Sequence, residues 1–232
     1  MARFISLMTR HLHSQGYTRI CLKHYPDFYS DCSSAKLITA LFFEGFKITQ
    51  TDINHYLKIT HKPFEKIVHP MQRRRIKKCL RNDYKFTSHP NNELEFVFRK
   101  IQDFRMQKNI PVNISCNTLE MLSRQFPDQY HLFSVLDGER IIAATCTVAV
   151  NKTTLYNFLP ASDTEYSASS PMVYLIKNIY EYAHAHHFRF LDLGVSSINN
   201  QPQSGLISFK EHLGGISGVK FQLEKISDPS HV

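Results

Sequence analysis

The chain has 232 residues, 42% hydrophobic and 21% charged, with 17 Phe and 11 Tyr, which suits one large domain or one domain plus a fragment of another and excludes a disordered polymer. No stretch approaches the roughly 18–20 apolar residues that span a bilayer, and arginines and histidines interrupt residues 1–17 where a signal peptide needs an apolar core, so the chain is expected to be soluble and cytoplasmic. The formal charge of +8 points to an anionic partner: a phosphorylated substrate, a nucleotide-linked cofactor or tRNA.

In chain order, residues 4–15 read as a helix, 18–23 as a strand, 34–44 as a helix and 46–59 as strands. Residues 66–81 follow as a linker helix with the basic run Arg73-Arg74-Arg75-Ile76-Lys77-Lys78 and Arg81. Residues 84–87 suit a strand. Over 93–108, Leu94, Val97, Phe98, Ile101 and Phe104 recur at helical spacing. A short helix is expected from Asn117, with Glu120 completing a capping box. The period then changes: 130–136 and 139–150 are strand-like on either side of Asp137-Gly138, and 153–159 adds a third strand, which predicts an antiparallel meander. After a loop over 160–169, Ser170 is the expected cap and Pro171 the first residue of a helix whose Met172, Leu175, Ile176, Ile179 and Ala183 share one face. A buried strand over 188–193 closes at Gly194. A polar loop through Asn199, Asn200, Gln201 and Pro202, a helix over 206–213 ended by Gly214-Gly215, and a strand over 219–226 complete the order.

This order predicts an α/β fold for residues 82–232, a mixed, mostly antiparallel sheet flanked by helices. Residues 1–65 repeat only the second half of that order, so they are expected to form a partial unit of the same type. The five cysteines, Cys21, Cys32, Cys79, Cys116 and Cys146, are odd in number and lack a C-x-x-C pair, which predicts free thiols rather than disulfides or a zinc site. His184, His186 and His187 have no neighbouring carboxylate or cysteine in the sequence, a poor set for a metal.

The element order resembles the GNAT acyltransferase fold. The segment LYNFLPASDTEYSASSPMVYLIKNIYEYAHAHHFRFLDLG, followed by GLISFKEHLGG, resembles Fem-type transferases and CelD-like acetyltransferases through Ser170-Pro171, Leu191-Asp192-Leu193-Gly194 and Phe209-Lys210. RRRIKKCLRN is similar to the basic helix before the second unit of Fem-like proteins, which are built from two GNAT units. The resemblance implies an acyl or aminoacyl transferase, and a lysine at position 210 in the active site. One departure stands out. Ordinary GNAT enzymes hold the coenzyme A pyrophosphate on a glycine-rich loop at a helix N-terminus, whereas residues 163–171 contain no glycine and carry Asp163 and Glu165, which are expected to repel a pyrophosphate. Fem-like families share this loss, and some take the aminoacyl group from charged tRNA. No tightly bound cofactor is expected, with acyl-CoA as a candidate co-substrate.

Lys210 is the leading candidate, as a cation for a phosphate or an oxyanion; its alternative is a solvated helix lysine. Asp192, at a strand end, orients or deprotonates an acceptor amine, or instead caps the turn at Gly194. Tyr156 is a candidate general acid, and Asn157 is placed beside it in the cleft. Ser169 and Ser170 supply hydroxyl donors, and Phe209 lines the site. Arg74 and Lys78, four apart on one helix face, are candidate phosphate ligands, as are Lys77 with Arg73 and Arg81. The sequence has no Ser-His-Asp pattern, P-loop or dinucleotide fingerprint, so direct attack by an amine on the acyl donor is the expected chemistry. The expected acceptor is an amine-bearing small molecule or nucleotide-linked compound, with tRNA as a further partner and no DNA. Two other readings stand beside N-acyl transfer: a tRNA-dependent aminoacyl ligase of cell-wall precursors, and a non-catalytic GNAT-like binding module.

Overall fold

A computed structural model describes residues 1–29, 34–198 and 200–226; Cys32 and Asn199 lie outside the described residues. The first elements are α1 (Ala2–Ser14), β1 (Arg19–Lys23), α2 (Ser34–Phe43), β2 (Lys47–Lys58), α3 (Phe64–Ile67), α4 (Pro70–Arg81) and β3 (Lys85–His89). Then come α5 (Leu94–Met106), α6 (Cys116–Gln125), β4 (Tyr130–Asp137), β5 (Arg140–Asn151), β6 (Thr154–Asn157) and β7 (Ala161–Ser162). The last are α7 (Pro171–Ala185), β8 (Phe190–Val195), β9 (Ser197–Ile198), β10 (Gln201–Pro202), α8 (Ser204–His212) and β11 (Ile216–Ile226). The class is mixed α/β with mostly antiparallel pairing, as the periodicity predicts.

The chain forms two compact units that are not consecutive in sequence. The smaller holds 1–54, 195–207 and 217–232. Its strands run in the order β1-β11-β2, with β1 and β11 antiparallel from Arg19↔Ile226 to Lys23↔Gln222. Ile5, Ile20, Ala40, Leu41, Phe46 and Leu223 form its core, with Met8, Leu12 and Leu37 packed alongside.

The larger unit holds 55–194 and 208–216. Its order is β2-β8-β6-β5-β4-β3, with β7 on β5. The meander β3 to β6 is antiparallel, and β6 pairs β8 in parallel. Adjacent residues on a strand point to opposite faces, and here both faces are covered. Phe133, Val135 and Ile142 join the core beneath α4 and α7, with Ile76, Cys79, Leu175, Ile176 and Ile179. Leu132, Ile141, Ala144 and Cys146 join the core beneath α5 and α6, with Val97, Phe98, Ile101 and Leu119. Each fully buried side chain of this kind contributes about 1.5–3 kcal/mol, which is why β5 reads as an almost unbroken apolar run.

Several local expectations change. The cap of α6 is Ser115, whose Oγ accepts from Thr118 N at 3.1 Å, rather than Asn117; the helix begins one residue earlier and takes Asn117 inside. Ser170 makes no side-chain cap of α7, because its backbone is left-handed at φ 55°. Residues 46–59 give one long strand, β2. The polar loop at 197–202 is a small β9-β10 ribbon, pairing Gln201 with Ile198 and Pro202 with Ser197. Cys21, Cys79, Cys116 and Cys146 are free thiols.

Candidate active site

The parallel pair β6-β8 positions the site. Its register runs Thr154↔Phe190, Leu155↔Leu191 and Tyr156↔Asp192 and stops there. Asn157 still pairs with Thr147 of β5, while β8 turns through Gly194, so the two strands part at their carboxyl ends, where open α/β sheets receive ligands. Gly194 has φ +76°, a conformation that L side chains rarely adopt, and an added Cβ would meet the Tyr156 ring at 3.4 Å. Buried Asp192 fixes this turn: its Oδ1 accepts from Gly194 N at 2.7 Å.

Lys210 closes the group. It is 5% exposed and Nζ donates to Gly194 O at 2.8 Å, so it is not a solvated helix lysine. Its backbone is held too, since Lys210 O accepts from Gly215 N at 2.9 Å, and a Cβ on Gly215 would lie 2.6 Å from that oxygen. Phe209, next to it, packs against the core beneath α7. Burial pulls the Lys210 ammonium down to about 8, partly opposed by the Asp192 carboxylate. Burial, and then the Asp192 charge, push the Tyr156 phenol up to about 12, with Arg105 opposing. Tyr156 therefore stays a protonated donor at neutral pH.

Two further residues belong to this neighbourhood. His55, fully buried near the end of β2, is held below the usual histidine range by burial and then by the Lys210 charge, with Glu211 opposing. Arg105, in the last turn of α5, is likewise lowered by burial, with Tyr156 opposing. Neither lies in a motif. Arg105 shares a turn with the apolar stripe of its helix, and its separation from Tyr156 in sequence hides the pairing.

The other sequence candidates lie apart from this cluster. Asn157 follows Tyr156 by one residue, and its Oδ1 accepts from Thr145 Oγ1 at 2.7 Å inside the sheet. Arg74 is exposed on α4. Lys78 Nζ donates to Ala168 O at 3.1 Å, and buried Ser169 is bound on several sides: its Oγ donates to Tyr166 O at 2.9 Å and accepts from Tyr84 Oη at 3.2 Å, while Ser169 O accepts from Cys79 Sγ at 3.3 Å. In the acidic loop, Arg140 Nη2 lies 2.7 Å from both Asp163 and Glu165, so one guanidinium offsets part of their combined charge. Backbone donors are few as well. Ser169 N and Ser170 N both donate to Tyr166 O, Val173 N donates to Ser170 O, and Pro171 has no N–H. Few backbone N–H groups are therefore left at this helix start for a coenzyme A pyrophosphate.

A Ser-His-acid relay absent from any short motif is assembled by the β3-β4 pair: His89 Nε2 is 2.7 Å from Ser134 Oγ, and His89 Nδ1 is 2.7 Å from Glu93 Oε2. Ser134 is fully buried within the sheet, out of reach of a substrate, so this relay ties β3 to β4 and to α5. Among the described residues, no group of three His, Cys, Asp or Glu side chains could hold a metal, and no helix is long and apolar enough to cross a membrane.

Residues 72–201 match the acetyltransferase (GNAT) domain family. A search of curated proteins returns no match. In fold the chain is similar to the crystal structure of FemX, with a TM-score of 0.74 at 11% identity over 97% of this chain and 76% of that one. It is also similar to the C-terminal domain (DUF2156) of a putative lysylphosphatidylglycerol synthetase from Agrobacterium fabrum, with a TM-score of 0.69 at 12% identity over 99% of this chain and 74% of that one. A tandem GNAT protein from the clavulanic acid biosynthesis pathway gives 0.56 at 10% identity over 97% and 69%. With more than half of its length matched by the family, and with the element order and strand-end geometry described above, this chain belongs to the acetyltransferase (GNAT) domain family and is a GNAT-type transferase.

Proposed function

We propose that the chain is an N-acyltransferase that moves an acyl or aminoacyl group from an ester or thioester donor to an amine by direct attack, at the Tyr156-Asp192-Lys210 cluster of the larger unit. The observation that carries this reading is a buried, mostly protonated Lys210 beside a neutral Tyr156 hydroxyl at the point where β6 and β8 part. The lone pair of the neutral amine attacks the carbonyl carbon, a C–N bond forms, and the carbonyl oxygen gains negative charge that the Lys210 ammonium stabilises. When the carbonyl re-forms, the bond to the leaving oxygen or sulfur breaks. Tyr156 gives its proton to that leaving atom and recovers one from the new ammonium, so one proton moves from amine to leaving group overall. Asp192 is a positioning residue: it holds the Gly194 turn that seats Lys210 and Tyr156.

An ester donor such as aminoacyl-tRNA is favoured over acyl-CoA, because Ser167, Ser169 and Ser170 spend their N–H groups within the loop before α7. The exposed basic side chains of α4, Arg74 and Lys77 among them, provide phosphate contacts in this reading. The likeness in fold to FemX and to the putative lysylphosphatidylglycerol synthetase domain supports an aminoacyl group as cargo. Thermal-shift titration separates the donors, since a ligand that binds only the native state raises apparent stability. A shift with charged tRNA and none with acetyl-CoA is expected, and the reverse would overturn the donor assignment.

A further inference from the structure

Arg105 is the one guanidinium in the larger unit whose Nε is buried without a hydrogen-bond partner among the described residues. Its recorded side-chain bond is Nη1 to Pro111 O at 3.3 Å, and no carboxylate forms an ion pair with it among the described residues. Asp163 and Glu165, which face the loop beyond α5, both pair with Arg140, and Asp163 Oδ1 also accepts from Gln107 Nε2 at 3.4 Å. Lys108, one turn on, adds a second cation, with Nζ donating to the neutral Ser162 Oγ at 3.2 Å and the Asp163 carboxylate favouring its charge. The C-terminal carbonyls of α5 favour a cation here, yet they leave the Nε donor unmatched. An unsatisfied buried donor on a charged group costs free energy that folding alone gives no reason to retain.

We propose that Arg105 receives an oxyanion, carboxylate or phosphate, carried by the amine acceptor, and so selects anionic amines. This rests on the transfer reading for the identity of the ligand as acceptor, but the binding event needs no transfer chemistry. Guanidinium offers Nε–H and an Nη–H side by side, the geometry that a two-oxygen group accepts in a bidentate manner.

The test uses three probes at tens of millimolar: ethanolamine, phosphoethanolamine and glycine, which differ in having no anion, a phosphate or a carboxylate. Binding is read by thermal shift on the wild type, Arg105→Met, Arg105→Lys and Lys210→Met, and by the Arg105 Nε–H resonance in arginine-labelled wild-type protein, which needs no folded variant. The expected result is a shift with phosphoethanolamine or glycine but not with ethanolamine. That shift should survive in Lys210→Met and weaken at least about tenfold in affinity in Arg105→Met. Arg105→Lys, a point charge without the fork, should fall between. Movement of the Nε–H signal by only one anionic probe assigns the oxyanion class. An unmoved Nε–H signal with both anionic probes, or equal binding by Arg105→Met, which would put the anion on exposed basic residues such as those of α4, overturns the proposal. Binding that behaves as expected in a protein showing no transfer would instead reject the transfer reading and leave the anion site standing.

Discussion

Replacing Lys210 by Met separates a chemical lysine from a structural one. In the folded chain the ammonium titrates near 8 instead of 10.5 because it is buried. Below pH 8 both folded and unfolded states hold the proton, and the folded state carries the whole cost of burying the charge. Between pH 8 and 10.5 the folded state has lost the proton that the unfolded state keeps, so stability rises with pH through that window. At 1.36 kcal/mol per unit the shift amounts to about 3 kcal/mol. Lys210→Met removes that cost at pH 7 but leaves Gly194 O without its donor, which costs about 1–3 kcal/mol. The variant should therefore be as stable as the wild type at pH 7, or up to about 2 kcal/mol more stable, while transfer falls about 10²–10³-fold. Urea unfolding of both proteins from pH 7 to 10 gives the difference directly: the wild type should gain stability relative to the variant as pH rises, and the difference curve should climb from pH 8. A variant that is clearly destabilised at pH 7, with a flat difference curve, would refute the reasoning and make Lys210 a structural residue.

Tyr156→Phe should lower transfer by about 10²-fold with an alkoxide leaving group and by less with a thiolate, which needs its proton less; equal effects on both donors in single-turnover assays would remove Tyr156 as the acid. Gly194→Ala places a Cβ at φ +76° and against the Tyr156 ring, so denaturant unfolding should show a loss of about 1–3 kcal/mol together with reduced transfer. Ser134→Ala, which breaks the His89 relay, should cost about 1–3 kcal/mol of stability and leave transfer unchanged; a parallel loss of transfer would make that relay part of the chemistry.

Elements set by local periodicity were legible in the sequence. The stripe Leu94, Val97, Phe98, Ile101 and Phe104 became the buried face of α5, and the run around Asp137-Gly138 became the β4-β5 hairpin. Caps were less legible. Ser115 and Asn117 are both good capping types, and the choice depends on where the preceding backbone enters. Distant pairings were not legible at all: strand register alone brings His89 and Ser134, 45 residues apart, into one neighbourhood. The interleaving of the two compact units is likewise invisible to a reading that moves along the chain. At the candidate site, Phe209-Lys210 and Asp192-Leu193-Gly194 stand out as short strings, whereas the proximity of Arg140 to Asp163 and Glu165 does not show in the sequence.

The most direct measurement is amide formation itself. The purified chain is given aminoacyl-tRNA or acetyl-CoA with an anionic amine such as phosphoethanolamine, and the products are read by mass spectrometry for the wild type and Lys210→Met. The account predicts an aminoacylated amine from the tRNA ester, little product from acetyl-CoA, and loss of product in Lys210→Met despite a fold at least as stable. Product from acetyl-CoA alone, undiminished by Lys210→Met, would contradict it.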